Sequence, residues 1–290
     1  MDRMTRIAIL TPDPSDQSYA REWPIILKRV SEALESVDAV VTPTPWTDHI
    51  ENAAGLADFD LVLPLLVWGY QRDHARWMQA CATWEAAGAK LANAARTLGW
   101  NSDKAYLAEL ADKGVPIPPT VFVDRADGTA VEDALARFGA PVIAKPTVSG
   151  GAWKTLKLSD ASDLTDAPDG AAMIQPYLPA IEDGELSLLY FGGRLSHAVL
   201  KRPASGDFRI QTQHGGTHVF VADPPVEALV LAEKTLAAVG ETLLYARIDM
   251  ARDACGGWLL MEAELIEPDF YLGSAPEGGA RFAEAVKARL

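Results

Sequence analysis

The sequence predicts a parallel α/β layer at the N-terminus followed by a larger antiparallel α+β region. Over residues 1–95, short apolar runs alternate with stretches of helical periodicity, as in a parallel sheet with crossover helices. After residue 140, apolar strands come in pairs around Gly192–Gly193 and Gly256–Gly257, which is typical of antiparallel hairpins. A chain of 290 residues is long enough for two or three compact subdomains with a substantial core.

The N-terminal layer is expected to begin with a strand and a helix. Residues 7–10 form an apolar run closed by a proline-containing turn, and apolar residues between 19 and 34 then recur at helical spacing. The remaining elements expected here are strands at 37–42, 61–65 and 90–93 and a helix near 71–87.

We place the main boundary near Asn101–Ser102, a pair that resembles a helix cap. A helix is expected at 103–110, ended by Gly114 and a proline-rich stretch. The elements expected after it are strands at 141–146, 155–158, 172–175, 185–191, 194–201, 243–251 and 258–264, and helices at 225–239 and 277–290.

Charge and cysteine content exclude several classes of protein. The net charge is −14 and the pI is about 4.8, so the average surface repels nucleic acid and anionic lipid. Cys81 and Cys255 are too few and too distant for a disulfide framework, which favours a reducing, cytoplasmic compartment. Neither a signal peptide nor a membrane span is expected, because no apolar run approaches the length that either requires.

The hairpin near the C-terminus concentrates charge on one face. Apolar residues alternate with Arg247 and Asp249 in its first strand, and with Glu262 and Glu264 in its second. One antiparallel register sets Asp249 opposite Glu262, and another sets it opposite Glu264. Three carboxylates on rigid strands suit a hard cation such as Mg²⁺ beside phosphate oxygens. The alternative is a solvated strand face on which Arg247 simply pairs with the acids.

A second candidate site lies at Lys145, which ends an apolar strand and precedes a loop of small residues at 147–153. Small residues let backbone N–H groups approach an anion, and Lys145 adds a positive charge. Trp153 stands where a Walker A loop requires glycine, so a P-loop NTPase is disfavoured. The alternative is an ordinary tight turn at Gly150–Gly151.

Two further segments suit a nucleotide. A proline-bracketed connector at 175–179 has backbone groups beside apolar walls that can hold a purine edge, although an ordinary linker has the same composition. Lys201 and Arg202 end a hairpin strand, and residues 208–216 add a glycine-rich loop. The negative net charge does not oppose a bound polyphosphate, because charges beyond a Debye length of about 8 Å are largely screened.

Taken in order over residues 101–272, these segments resemble the ATP-grasp superfamily, and within it the branch of glutathione synthetase and the ribosomal-protein glutamate ligases. The resemblance implies an N-terminal Rossmann-like pre-ATP-grasp domain followed by the two-subdomain ATP-grasp fold. The implied domains are an N-terminal substrate domain at 1–96, a central subdomain at 97–174 and a C-terminal subdomain at 175–290.

The resemblance also implies roles for individual residues. Asp249, Glu262 and Glu264 match the metal ligands, although the family's usual third ligand is asparagine where Glu264 stands. The implied ATP-binding residues are Lys104, Lys145, Ser149, Gly150, Gly151, Gln175, Pro176, Tyr177, Leu178, Glu182 and Lys201. The implied catalytic residues are Arg247, Arg209 and Lys201. The two arginines would stabilise the transferring phosphoryl group and the tetrahedral intermediate, and Lys201 would orient the phosphates.

The activity implied is that of an ATP-dependent carboxylate–amine ligase. Because a carboxylate is a poor electrophile, ATP first converts it to an acyl phosphate, and ADP and phosphate are released. Mg²⁺ is the implied metal, with Mn²⁺ as a second candidate. Segments at 101–104, 175–178, 196–203 and 262–268 are also similar to the subgroup that includes cycloserine synthetase, so an intramolecular cyclo-ligase is the alternative within the class. A nucleotide-binding regulatory protein without ligase turnover is the alternative of another class.

Substrate choice is expected to lie mainly in the first 95 residues. Tyr70 and Arg72, after the strand at 61–65, are the candidate substrate residues there, and ordinary packing is their alternative role. Gly215 and Gly216 are the candidates in the glycine-rich loop. The expected partners are a small-molecule carboxylate and an amine, without nucleic acid or membrane, and a homodimer is the candidate assembly.

Overall fold

The computed structural model describes residues 4–162 and 164–290. Residues 1–3, at the start of the predicted first domain, and residue 163, within the predicted central subdomain, lie outside the described residues. Within the described part of the chain, strands form a three-stranded, a four-stranded and a five-stranded sheet. None of the helices described has the length and apolar character that crossing a bilayer requires.

The first sheet is parallel, as predicted. Its order is β2-β1-β3, formed by β1 (Thr5–Thr11), β2 (Ala39–Pro45) and β3 (Leu61–Leu63). The crossover helix α1 (Trp23–Leu34) has a proline in its first turn, where the missing N–H costs nothing. The helix α2 (His74–Ala86) follows β3 and begins where the Asp73 carboxylate accepts a hydrogen bond from the Arg76 N–H.

The region around residues 90–102 departs from the prediction. Residues 90–93 form an isolated parallel bridge between Leu91 and Val62 instead of a strand, because the chain then turns into α3 (Ala95–Asn101). Asn101 ends α3 and does not cap the next helix, α4 (Tyr106–Asp112). The Asn101 side chain instead donates to the carbonyl of Ala263 at 2.8 Å and accepts from the N–H of Leu265 at 2.9 Å.

The second sheet is antiparallel and has the order β4-β7-β5-β6. One helix, α5, packs on it and starts at Asp127, whose carboxylate accepts from the N–H of Ala130. Neither α5 nor β4 was predicted from the periodicity of the sequence. The elements of this unit are β4 (Val121–Val123), α5 (Gly128–Phe138), β5 (Val142–Pro146), β6 (Leu156–Leu158) and β7 (Ala172–Pro176).

The third sheet is antiparallel and has the order β10-β9-β8-β11-β12. Both glycine-pair hairpins are confirmed, and Gly192 and Gly193 adopt φ of 56° and 75°, which a two-residue hairpin turn of this kind requires. Its strands and the helices that follow are β8 (Glu185–Phe191), β9 (Arg194–Arg202), β10 (Thr217–Val221), α6 (Val226–Val239), β11 (Tyr245–Arg252), β12 (Trp258–Glu264) and α7 (Ala280–Arg289).

The cores of the first and third sheets are joined by the C-terminal helix. Phe282 and Val286 of α7 are fully buried in one apolar cluster with Ile7 and Ile9 of β1 and with Phe191 of β8. The N-terminal sheet therefore completes its core with residues from the far end of the chain. The predicted domain limits at residues 96 and 174 stay a prediction.

Asn93 fixes the same junction through polar contacts. Its side-chain amide donates to the carbonyls of Tyr245 and Leu265 and accepts from the N–H of Leu244, at 2.8–3.0 Å, and the residue is 0% exposed. The side chain thus satisfies three buried backbone groups that water cannot reach.

We predict that Asn93→Ala lowers the free energy of unfolding by about 3 kcal/mol, because three buried backbone groups lose their partner. Urea denaturation followed by circular dichroism measures this value. Asn52→Ala is the matched control, since the Asn52 side chain accepts one exposed hydrogen bond from the N–H of Ala54. A change in Asn93→Ala no larger than in this control would contradict the role of Asn93.

Candidate active site

The five-stranded sheet has one apolar and one charged face. Leu186 and Leu188 of β8 and Ile248 and Met250 of β11 point into the core formed with α4 and α6. The alternate residues of the same strands point to the opposite face, where most of the predicted charged residues lie. The alternation of apolar and charged residues predicted from the sequence is therefore the one that the sheet shows.

The register resolves the two arrangements left open for the hairpin. Asp249 lies opposite Glu262, and Arg247 lies opposite Glu264. A bulge follows Asp249, but it lies beyond both of these pairs. On the other side of β11, Asp249 is paired with Ser187 of β8, so that polar side chains from three strands stand in one row.

Asp249 is at the centre of a buried charged network. Its carboxylate accepts hydrogen bonds from Arg247 Nε at 3.0 Å, from Lys201 Nζ at 2.8 Å and from Ser187 Oγ at 2.5 Å. Lys201 also pairs with Glu185 at 2.7 Å, and Arg247 Nη2 pairs with Glu264. Asp249 is 2% exposed, so these contacts replace water as its environment.

The charges in this network shift one another's pKa values. Burial alone would raise the pKa of Asp249, but Arg247 and Lys201 hold it well below its usual range. Burial would lower the pKa of Lys201, but Asp249 and Glu185 raise it above its usual range. Both groups therefore remain charged at neutral pH.

Lys104 and Lys145 reach the same site from outside the five-stranded sheet. Lys104 precedes α4, and its Nζ lies 3.1 Å from Glu262 Oε1 and donates to the carbonyl of Ser149 at 2.9 Å. Lys145 belongs to β5, and burial lowers its pKa, while the carboxylates of Glu262 and Glu185 act in the opposite direction. Lysines from three separate segments thus converge on the acids of the hairpin.

Burial shifts the pKa values of two further acids in the site. Burial raises the pKa of Glu264 to about 8 despite Arg247, and raises the pKa of Glu267 to about 7 despite Arg247 and Lys104. The described residues contain no group of three or more His, Cys, Asp or Glu that is already arranged to hold a metal ion. Asp249, Glu262 and Glu264 each face a lysine or arginine instead, and their role as metal ligands stays a prediction.

The predicted adenine connector lies at the end of β7. The Gln175 side chain is 3% exposed and donates to Thr120 Oγ1 at 2.9 Å, so it holds the connector in place. The Tyr177 N–H donates to the carbonyl of Pro141, and its hydroxyl donates to Glu182 at 2.8 Å. Pro176 ends β7, and Leu178 follows Tyr177 directly. Their predicted contacts with adenine and ribose stay predictions.

The two glycine-containing loops touch each other. The side chain of Gln213 donates to the carbonyl of Gly151 at 3.3 Å, and a Cβ on Gly150 would lie 3.8 Å from the amide nitrogen of Gln71. Gly151 adopts φ of 61°, which favours glycine. These contacts bring the loop at 147–153 close to the loop at 203–216 and to the segment after β3.

Within the loop at 203–216, glycine is required by close packing. A Cβ on Gly216 would lie 2.0 Å from the carbonyl oxygen of Ile210, and Gly215 adopts φ of 82°. Arg209 forms a two-point ion pair with Asp207 at 2.7–3.2 Å. The contacts of Arg209 are thus with its own loop, whereas Arg247 and Lys201 meet in the buried network.

The predicted substrate residues of the N-terminal unit have structural partners. Tyr70 is 7% exposed and packs on Trp77, with ring centroids 4.8 Å apart. Arg72 pairs with Asp16 at 2.7 Å and lies over the ring of Tyr19. These contacts hold the segment after β3 in place, and a role of either residue in substrate binding stays a prediction.

Sequence reasoning did not identify Ser187, Glu185 or Glu267 as site residues. Ser187 is 0% exposed, which is unusual for a polar residue. Its place within the apolar run of β8 was the signal in the sequence that could have indicated a role in the site. Glu267 lies beyond β12, where no periodicity indicates which way a side chain points, and it accepts a hydrogen bond from Trp68.

Comparisons with known proteins agree with this geometry. Residues 7–93 match the family model of the N-terminal domain of the D-cycloserine synthetase DcsG. The crystal structure of D-cycloserine synthetase DcsG superposes with a TM-score of 0.79 over 98% of this chain and 99% of that chain, at 24% identity. The chain has the fold of the ATP-grasp ligases.

Two curated proteins are similar to this chain in sequence. The cycloserine biosynthesis protein DcsG of Streptomyces lavendulae is 29% identical, and the match covers 89% of this chain and 92% of the relative. A probable alpha-L-glutamate ligase of Xanthomonas oryzae pv. oryzae is 30% identical over 158 residues, which is 52% of each chain. The predicted fold class and the predicted resemblance to ATP-grasp ligases, including cycloserine synthetase, are confirmed, and the predicted ligase activity agrees with the names of these relatives. Solved ligases of this fold include complexes with ATP and with Mg and ADP.

We predict that Asp249→Asn lowers ATP turnover by about a hundredfold or more, because the carboxylate charge at the centre of the network is lost. ADP release at saturating ATP and Mg²⁺ measures the change, and circular dichroism checks that the fold is kept. Glu277→Gln is the control for an acid-to-amide exchange, since its ion pair with Arg281 is exposed. Undiminished turnover in Asp249→Asn would refute its assignment to the site.

Proposed function

We propose that this protein activates a small-molecule carboxylate as an acyl phosphate and joins it to an amine, with release of ADP and phosphate. The observation that carries the proposal is that Lys104 pairs with Glu262 at 3.1 Å and Lys201 pairs with Asp249 at 2.8 Å on one face of the sheet. Cations beside carboxylates on one rigid sheet face suit a triphosphate, whose oxygens would replace part of the present ion pairs.

Each cation has a definite task in this chemistry. The substrate carboxylate oxygen attacks the γ-phosphorus of ATP, the bond to the β-phosphate oxygen breaks, and ADP leaves. Lys104, Lys145 and Lys201 neutralise phosphate oxygens along this path, and the ion pairs of Lys104 and Lys201 keep those two in position. The amine then attacks the acyl carbon, loses a proton and displaces phosphate, while Arg247 stabilises the negative tetrahedral oxygen.

The donor set also fits a divalent cation. Three carboxylates stand on two adjacent, paired strands of the sheet, and carboxylate oxygens are the ligands that Mg²⁺ prefers. Asp249, Glu262 and Glu264 would hold it. Bound there, the metal would neutralise the phosphate oxygens of ATP. Mn²⁺ has the same ligand preference and is the second candidate.

Joining the two ends of one molecule is the second candidate activity, an intramolecular cyclo-ligase reaction. It is favoured by the likeness to the cycloserine biosynthesis protein, which extends over nearly the full length of both chains, whereas the likeness to the glutamate ligase extends over half. The substrate would then carry both the carboxyl group and the amine. We further propose a cytoplasmic location, in keeping with two free cysteines, and a homodimer.

We predict ATP turnover that depends on an added carboxylate and yields ADP and phosphate. The protein is incubated with ATP and Mg²⁺ and with pools of amino acids, ureido or hydroxamate precursors and small peptides, and phosphorus NMR follows the nucleotides. Dividing an active pool shows whether one compound suffices, as cyclisation requires, or whether two are needed.

Asp249→Asn serves as the control for contaminating ATPases. Formation of AMP and pyrophosphate would refute the acyl-phosphate route. ATP binding without turnover in any pool would favour the regulatory nucleotide-binding alternative.

A further inference from the structure

Tyr271 adopts an uncommon backbone conformation beside the charged network. Its φ and ψ are 47° and 37°, in the left-handed region that bulky side chains seldom occupy. Such residues persist only where the surrounding structure fixes them, and they concentrate at functional sites.

The surrounding structure fixes Tyr271 from both sides. Its N–H donates to the carboxylate of Asp269 at 2.8 Å, and its carbonyl accepts from the N–H of Ser274 at 2.8 Å. The preceding residue, Phe270, is buried, and its carbonyl accepts from His197 Nε2 at 2.9 Å. The left-handed conformation is therefore imposed by a hydrogen-bonded and apolar frame.

This conformation places the Tyr271 ring against Arg247. The ring centroid lies 5.6 Å from Arg247 Cζ, within the range of a cation–π contact. The edges of the same guanidinium bind Asp249, Glu264 and, at 3.4 Å, the carbonyl of Asp269. Arg247 is thus held at its edges by acceptors and over one face by an aromatic ring.

The ring also reaches the edge strand that follows the loop at 203–216. Its centroid is 4.6 Å from that of His218 in β10, and His218 is the register partner of Lys201. Tyr271 is partly exposed and does not belong to the apolar clusters of the described residues, whereas its neighbours Phe270 and Leu272 pack in one of them. Ordinary core packing therefore does not account for its position.

We propose that Tyr271 is a positioning residue that fixes the plane of the Arg247 guanidinium for the reaction. The proposal rests on the ligase function above, in which Arg247 stabilises the tetrahedral oxygen. A planar guanidinium donates along fixed directions, so a ring that blocks its rotation keeps those donors aimed. The ring reaches its position beside Arg247 because the backbone of Tyr271 adopts the left-handed conformation, which costs free energy.

The test compares Tyr271→Phe, which keeps the ring, with Tyr271→Leu, which removes it at the same backbone cost. We expect kcat to fall about tenfold in Tyr271→Leu and to stay within about twofold in Tyr271→Phe, as loss of a cation–π contact implies. The Kd for ATP should stay unchanged in both. Trp258→Leu is the matched control, since Trp258 lies under Arg252 at the far end of the same hairpin, at 4.3 Å.

A second readout does not need turnover. The Nε–H resonance of Arg247, assigned with Arg247→Lys, should shift in Tyr271→Leu through loss of the ring current and should stay in place in Tyr271→Phe. If the leucine variant fails to fold, Tyr271→Gly removes the ring without left-handed strain and takes its place.

Wild-type kcat in the ringless variant, or an unshifted Arg247 resonance, would overturn the proposal. An equal loss of kcat and of ATP affinity in all Tyr271 variants would show a merely structural role and would overturn it as well. Absence of ligase turnover in the wild type would refute the proposed function, and the resonance would still report whether Tyr271 orients Arg247.

Discussion

The site depends on one buried carboxylate, Asp249. An ionised carboxylate removed from water is costly unless charged partners and hydrogen bonds surround it. Here Arg247, Lys201 and Ser187 supply them from three adjacent strands. This need for partners constrains the sheet, because a register slip of one residue on any of the three strands would turn a partner to the apolar face. The charged face and the strand order are therefore parts of one arrangement.

The network also explains why the site is rigid before any ligand binds. Lys201 is held by Asp249 and Glu185, and Lys104 by Glu262 and the carbonyl of Ser149. Donors that are already ordered lose little freedom when phosphate oxygens replace some of their partners.

The sequence predicted the structure correctly where a residue pattern has a single local cause. The alternation of apolar and charged residues in β11 and β12 predicted both strands and the common face of Arg247, Asp249, Glu262 and Glu264. The Gly192–Gly193 pair predicted the hairpin between β8 and β9. Both patterns follow from local geometry. Long-range partners were not predictable in this way. Asn101 is of a residue type that commonly caps helices. Its side-chain amide instead hydrogen-bonds to the carbonyl of Ala263 in β12 and to the N–H of Leu265, because tertiary contacts outweigh capping preference. Ser187 and Tyr271 take their roles from residues far along the chain, which no local spacing reveals.

The position of α7 has a consequence for how the protein is made. The strands of the first sheet emerge from the ribosome long before Phe282 and Val286, which cover part of their apolar surface. Until then the surface around Ile7 and Ile9 lacks its final cover. The nascent chain therefore has to keep an incomplete core apart from other chains until α7 has been synthesised.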